Sequence, residues 1–143
     1  MDASGSPKTV GSFVYLTRRG LYDHTIFHRI VPGFVIQGGD PTQTGSGGPG
    51  YSIREPPPAS AQYRRGTVAM AKTAVEPSGQ SGSQFFVVTA ADAGLPPQYA
   101  ILGKVTRGQS VISRIARLGD PSSGQTGTPR ATVVIRGITI RGG

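Results

Sequence analysis

The sequence predicts a mainly β fold with two helices, on three observations. Short apolar runs rich in β-branched and aromatic residues, such as Phe85-Phe86-Val87-Val88, recur along the chain. Turn-forming residues separate them, and Gly 22 and Pro 12 among 143 residues supply the turns. Helical spacing of apolar residues is confined to two stretches, one near each end. The hydrophobic fraction of 36% is low, but 143 residues suffice for one closed core. With no internal repeat and no linker, a single domain over residues 1–143 is expected.

The elements follow in order. Ser6-Pro7 reads as a helix start, with Ser as N-cap and Pro at the first helical position. Val10, Phe13, Val14 and Thr17 then share one face, and Gly20 suits the stop. Strands are expected at 25–31 and 34–38 around the Pro32-Gly33 bend, then at 51–54. Residues 40–50 are turn chemistry, and Glu55-Pro56-Pro57-Pro58 is a loop because prolines cannot join a ladder. The runs 67–71 and 84–89 read as core strands, with a loop over 72–81 between them and a further strand at 100–105. Val111, Ile112, Ile115 and Leu118 mark a second amphipathic helix ending at Gly119, and residues 131–140 close the chain as a final strand.

Composition excludes several functions. The absence of cysteine rules out disulfides and thiolate metal sites. No apolar run approaches the ~20 residues that span a bilayer, and Met1 to Ser6 is no signal peptide. A cytoplasmic location is therefore favoured, although an upstream export signal or anchor would leave no trace in this chain. The net charge of +8 is dispersed, with Arg18-Arg19 and Arg64-Arg65 the doublets, so no specific nucleic-acid partner and no membrane partner is expected. Gly45-Ser46-Gly47-Gly48-Pro49-Gly50 satisfies G-x-G-x-x-G, but neither a strand before nor a helix after supports a phosphate site. His24 and His28 have the spacing of a helical metal pair, yet they sit at a strand entrance without a third ligand, so no metal is expected. Ser81 and Ser83 lack a nucleophile elbow, and Asp40 reads as a turn-forming aspartate.

The most informative stretch is Phe27-His28-Arg29-Ile30-Val31-Pro32-Gly33-Phe34-Val35-Ile36-Gln37-Gly38-Gly39-Asp40. With Pro32 and Gly33 set aside as the bend, Arg29, Phe34 and Gln37 fall on one concave face. A cation, a ring and an amide without an acid–base pair suit a reaction that needs positioning and a hydrogen bond rather than bond cleavage. The stretch resembles the signature of the cyclophilin-type peptidyl-prolyl cis-trans isomerases, bacterial type. Thr67-Val68-Ala69-Met70-Ala71, Gly82-Ser83-Gln84-Phe85-Phe86-Val87-Val88-Thr89 and Ile101-Leu102-Gly103-Lys104-Val105 extend the resemblance, which covers about residues 7–141.

The resemblance implies a cyclophilin-like antiparallel β-barrel with two capping α-helices, here lacking the usual first two strands. It implies a peptidyl-prolyl isomerase that uses no cofactor and acts on X-Pro peptides and unfolded or proline-containing protein segments. Arg29 would hydrogen-bond the prolyl nitrogen of the twisted amide, with Gln37 and Phe34 beside it as catalytic residues. Val35, Phe86 and Leu95 would complete the proline pocket; Ala71, Lys72, Thr73, Gln84 and Tyr99 would bind substrate, and His28 would be a hydrogen-bonded neighbour. Val35 stands where the family usually has methionine, Lys72 where it has asparagine and Tyr99 where histidine is common. Gly94 falls where many members carry tryptophan, which implies weak or no cyclosporin binding. The short front implies an exposed edge at 133–135 and 138–140 and an edge-to-edge dimer. The alternative reading is a non-catalytic proline-peptide binding module or holdase chaperone.

Overall fold

Helix α1 (Pro7–Arg18) begins where the sequence places it, with Ser6 at the N-cap and Pro7 at the first helical position. The structure, a computed structural model, describes residues 1–142. Ser6 itself makes no capping hydrogen bond. Glu55 does so from a distant loop: Oε1 accepts the Lys8 N–H at 3.1 Å, and Oε2 accepts the N–H and the hydroxyl of Thr9 at 2.7 Å each. A carboxylate at this end also complements the helix dipole. The other end follows expectation. Gly20, at φ +75°, lets its N–H reach the Thr17 carbonyl while the Leu21 N–H reaches the Leu16 carbonyl, closing a Schellman motif.

The strands in chain order are β1 (Thr25–Ile26), β2 (Arg29–Val31), β3 (Val35–Gly38), β4 (Ile53–Arg54), β5 (Thr67–Met70), β6 (Gln80–Ser81), β7 (Phe85–Val88), β8 (Ile101–Lys104) and β9 (Val134–Ile135). Helix α2 (Gln109–Ala116) and a 3₁₀ turn (Pro121–Thr126) lie between the last two. The central sheet has the order β2-β3-β7-β5-β8, every pairing antiparallel, and two small ladders join β4 to β6 and β1 to β9.

The register gives the central sheet two faces. Ile30 lies opposite Ile36, Ile36 opposite Val87, and Val87 opposite Val68, so this row shares one face. It packs with Phe85, Met70 and Leu102 against Val10, Phe13 and Leu16 of α1, and with Tyr22. Phe13 and Phe85 meet edge-on at 5.9 Å, and Tyr22 lies 5.8 Å from Phe85. The opposite face carries a smaller cluster of Val35, Ala69, Phe86 and Val88 around Tyr63.

Four expectations are corrected. The run 25–31 is two strands, because β1 pairs with β9 while β2 pairs with β3. The loop over 72–81 ends in β6, which pairs with β4. The final strand of 131–140 shrinks to β9; positions 133–135 are not open, since Val134 and Ile135 pair with β1 and the Val133 carbonyl accepts the Phe27 N–H at 3.0 Å. Ile138 and Ile140 pack on the core without joining a named strand. In α2, Ile112 and Ile115 face the core, whereas Val111 is exposed.

Among the described residues no ladder joins β2 to β8, so pairing does not close the sheet into a barrel. Both outer strands are nonetheless touched by backbone. Ile30 in β2 donates to the Gly127 carbonyl at 2.8 Å, and the Leu102 carbonyl in β8 accepts from the Asp2 N–H at 2.9 Å. These bonds blunt the two edges of the central sheet.

The aromatic knot yields a stability test. Phe85→Ala should cost about 3–5 kcal/mol through lost burial and a cavity. Tyr22→Phe should cost about 1–3 kcal/mol, because the buried Tyr22 hydroxyl donates to the Ser83 carbonyl at 3.0 Å and would leave it unpaired. Urea denaturation of both variants checks the ranking.

Candidate active site

The same register lays out the second face. Arg29 lies opposite Gln37, Gln37 opposite Phe86, and Phe86 opposite Ala69. Directly paired residues project to the same side, so a cation, an amide and a ring stand in a row across three strands, with Ala69 continuing the row on a fourth. They border a cavity of about 420 Å³ lined by Arg29, Phe34, Val35, Gln37, Ala71, Lys72, Phe86, Leu95, Tyr99 and Gln125. No carboxylate, imidazole or hydroxyl nucleophile of serine or threonine is in that lining.

Arg29 is held on three sides. Nη1 donates to Gln37 Oε1 at 3.1 Å, Nε to the Gln125 carbonyl at 2.9 Å, and Nη2 to Gln125 Oε1 at 3.1 Å. Its guanidinium lies 5.9 Å from the Phe34 ring centre. Burial draws the guanidinium below its usual pKa, opposed by Tyr99. An arginine nevertheless keeps its proton at any working pH. Three of its N–H groups are engaged by these bonds, which leaves donors for a ligand.

Behind Gln37 runs a chain of amides. Gln37 Nε2 donates to Gln84 Oε1 at 3.1 Å, and Gln84 Nε2 donates to the carbonyls of Gly45 and Gly47 at 2.9 and 3.0 Å. That glycine loop is folded around Asp40, which is fully buried. Its carboxylate accepts the Thr42 N–H and hydroxyl, both at 2.8 Å, and the N–H groups of Thr44, Gly45 and Gly47 at 3.1, 2.6 and 3.1 Å. The sequence showed only a turn-forming aspartate. Burial alone would raise the Asp40 pKa, but the Thr42 hydroxyl and the N–H groups of Gly47, Thr42 and Gly45 hold it at about 2.

The far wall is aromatic. Phe86 and Tyr99 meet edge-on at 5.6 Å, and Tyr63 lies 5.8 Å from Tyr99. The Tyr63 hydroxyl accepts the Tyr99 N–H at 2.9 Å and donates to the Tyr99 carbonyl at 2.7 Å, fixing the backbone that carries Tyr99. A second cavity of about 650 Å³ adjoins the first, sharing Gln37, Ala71 and Lys72 and adding Thr73, Glu76, Gln84 and the loop 45–52.

Of the residues expected from the sequence, Arg29, Phe34, Val35, Gln37, Ala71, Lys72, Phe86, Leu95 and Tyr99 border the first cavity; Thr73 and Gln84 border the second. His28 is corrected. It was expected to be hydrogen-bonded, but its buried Nδ1 has no partner, and burial lowers its pKa with Asp40 opposing. Gly94 is exposed, and a side chain there would meet open space. Gln125 and Tyr63 were missed. Gln125 sits in a Pro-Ser-Ser-Gly turn with no periodicity, and Tyr63 in a run without strand alternation, so neither gave a local signal. The nearest hint was Gly127, where φ is +68° and a Cβ would stand 2.7 Å from Arg29 Cγ.

Comparison with known proteins gives this geometry a context. The family described as cyclophilin type peptidyl-prolyl cis-trans isomerase/CLD matches residues 1–140. The chain belongs to this cyclophilin family. A peptidyl-prolyl cis-trans isomerase of Arabidopsis thaliana is 39% identical over 111 residues, covering 77% of this chain and 68% of that protein. The probable peptidyl-prolyl cis-trans isomerase B of Mycobacterium leprae is 35% identical over 156 residues, covering 98% of this chain and 52% of its own. A peptidyl-prolyl cis-trans isomerase-like 2 of Cryptococcus neoformans is 36% identical over 94% of this chain, and the chain spans about a quarter of that relative, 24%. Among solved structures, a Cryptosporidium parvum cyclophilin type isomerase determined in the presence of the dipeptide Ala-Pro superposes with a TM-score of 0.85 at 34% identity, covering 99% of this chain and 89% of that one. The match confirms the cyclophilin fold.

The Asp40 loop in this cyclophilin domain makes a pH prediction. Its folded pKa lies below the ordinary 3.8, so its contribution to stability is complete above about pH 4 and is lost as pH falls through about 2. Asp40→Asn should flatten the acid limb of a stability-versus-pH curve measured by chemical denaturation. It should also speed amide exchange at Gly45 and Gly47.

Proposed function

We propose that this chain is a peptidyl-prolyl cis-trans isomerase that rotates X-Pro bonds in peptides and folding proteins. The observation that carries the reading is Arg29: a guanidinium fixed by three hydrogen bonds, with donors left over, beside the apolar wall of Phe34, Val35, Phe86 and Leu95 in a cavity whose lining has no carboxylate, imidazole or serine or threonine hydroxyl. The relative solved with Ala-Pro supports the substrate class.

The physical demand is specific. Rotating an amide costs ~18–20 kcal/mol because resonance is lost. The end states of an X-Pro bond differ by only ~0.5–1 kcal/mol, so a catalyst must favour the twisted amide over both planar forms. In the twist the prolyl nitrogen becomes pyramidal and regains a lone pair. Arg29 is assigned the donor to that lone pair, an interaction with no ground-state equivalent. Phe34, Val35, Phe86 and Leu95 are assigned the proline ring, Gln37 the substrate carbonyl, and the main chain of Ala71 and Lys72 the peptide backbone. A millionfold acceleration requires roughly 8 kcal/mol, of which one charge-assisted bond supplies part and a pre-organised pocket the remainder. The rotation transfers no group or electron, so it needs no cofactor.

Arg29→Ala should lower kcat/KM for an Ala-Pro peptide at least ~100-fold while leaving the melting temperature near its parent value. NMR exchange or a protease-coupled assay measures the rate. Peptide binding by the parent chain without exchange between cis and trans signals would instead favour a proline-peptide binding module. Unchanged exchange in Arg29→Ala would remove the assigned mechanism.

Cyclosporin should bind this chain weakly. Gly94 offers neither the ring nor the N–H donor that tryptophan supplies in related proteins. Losing such a contact costs ~2–4 kcal/mol, about thirty- to a thousandfold in affinity. Calorimetric titration tests it, and nanomolar affinity would overturn it.

A further inference from the structure

The departure with the clearest chemical consequence is Lys72. Its half-buried side chain borders both cavities at their junction, together with Gln37 and Ala71. Nζ donates to the carbonyls of Thr73 and Glu76 at 3.1 Å each and stands 5.2 Å from the centre of the Tyr99 ring. Those contacts hold a charge that would otherwise sweep through solvent on a flexible stem. They are neutral acceptors and a ring face, so the positive charge is offset only by the electrostatic pull of the Glu76 carboxylate, whose pKa it helps to lower, and an ammonium has three donors.

The nearby acid takes its hydrogen bonds from neutral donors and only partly offsets the ammonium. Glu76 borders the second cavity, but Oε1 accepts the Thr73 N–H at 2.8 Å and Oε2 accepts from Gln80 Nε2 at 2.9 Å. In the first cavity the charged lining consists of Arg29 and Lys72, with no acid. A peptide with its proline in that cavity and its preceding residues extended into the second would pass them over Lys72, which borders both.

We infer that Lys72 is a specificity-determining residue that selects X-Pro segments with a carboxylate side chain one or two positions before the proline. The inference rests on the isomerase reading for its catalytic consequence. Its physical content, a fixed cation facing an anionic side chain, holds for binding alone.

The test uses two matched pairs of peptides, Ala-Glu-Pro-Phe against Ala-Gln-Pro-Phe and Glu-Ala-Pro-Phe against Gln-Ala-Pro-Phe, with Ala-Ala-Pro-Phe as reference. The Glu/Gln ratio is read both in kcat/KM by NMR exchange and in Kd by chemical-shift titration. At low ionic strength at least one Glu peptide should be favoured by about two- to fivefold, as expected of a partly exposed ion pair. The preference should shrink as salt is raised. Lys72→Gln should bring the ratio to one, and Lys72→Glu should invert it. Lys104→Gln removes an equal charge from an exposed site outside both cavities, so it should keep the preference and exclude a general effect of the +8 chain. Equal values for both pairs, or a preference that survives Lys72→Gln, would overturn the inference. Absent exchange on every peptide, the reference included, would count against the isomerase reading alone, because the Kd ratios still decide the role of Lys72.

Discussion

The row of Arg29, Gln37 and Phe86 at the heart of the site depends on one register. Because Gln37 is opposite Arg29 on one side and Phe86 on the other, three unlike side chains from separate strands share a face. A slip of one residue in β3 would send Gln37 into the aliphatic core and bring Ile36 to the cavity. Such a slip is opposed by the other face, where Ile30, Ile36, Val87 and Val68 form their own row against α1. The apolar core therefore does more than stabilise the sheet. By fixing which residues point inward, it fixes which point to the cavity.

Legibility in the sequence follows the range of the interaction. The Schellman stop at Gly20 is local, and the residues of one turn announce it. Arg29 and Gln37 lie within one hairpin, so alternation about Pro32-Gly33 sufficed to bring them together, whereas Phe34 reaches the cavity from the turn outside β3. The helix start is local in position but not in its capping bond, because Glu55 displaces Ser6 as acceptor across a long loop. Likewise β6 and β9 are two-residue ladders whose partners, β4 and β1, lie far off in the chain. Two residues carry no readable period, so their pairing is decided by tertiary packing.

The resemblance to a family carried what local patterns could not. Leu95, Tyr99 and Lys72 come from irregular segments, and their approach to one cavity follows no periodicity. Gln125 escaped both routes, since it lies in a turn whose composition says only that the chain bends. Its contribution is nonetheless two of the three hydrogen bonds on Arg29. The turn is anchored by backbone as well, through the Ile30 N–H and the Gly127 carbonyl at 2.8 Å. One segment thus does both, Gly127 covering the sheet edge and Gln125 orienting the guanidinium.

The amide chain behind Arg29 has a direction, and that direction is decided outside the cavity. An amide can be turned so that oxygen and nitrogen exchange places, which would present Arg29 with a donor instead of an acceptor. Gln84 is prevented from turning because its nitrogen faces two carbonyls, those of Gly45 and Gly47. Its oxygen must then face Gln37, whose nitrogen is drawn to it, leaving Gln37 Oε1 for Arg29. The two carbonyls point that way because Asp40 gathers the N–H groups on the other side of the same loop. A buried anion, needing donors to offset its desolvation, thereby orders a glycine-rich segment that has no core of its own. The polarity of the loop is passed through two glutamines to the Arg29 guanidinium.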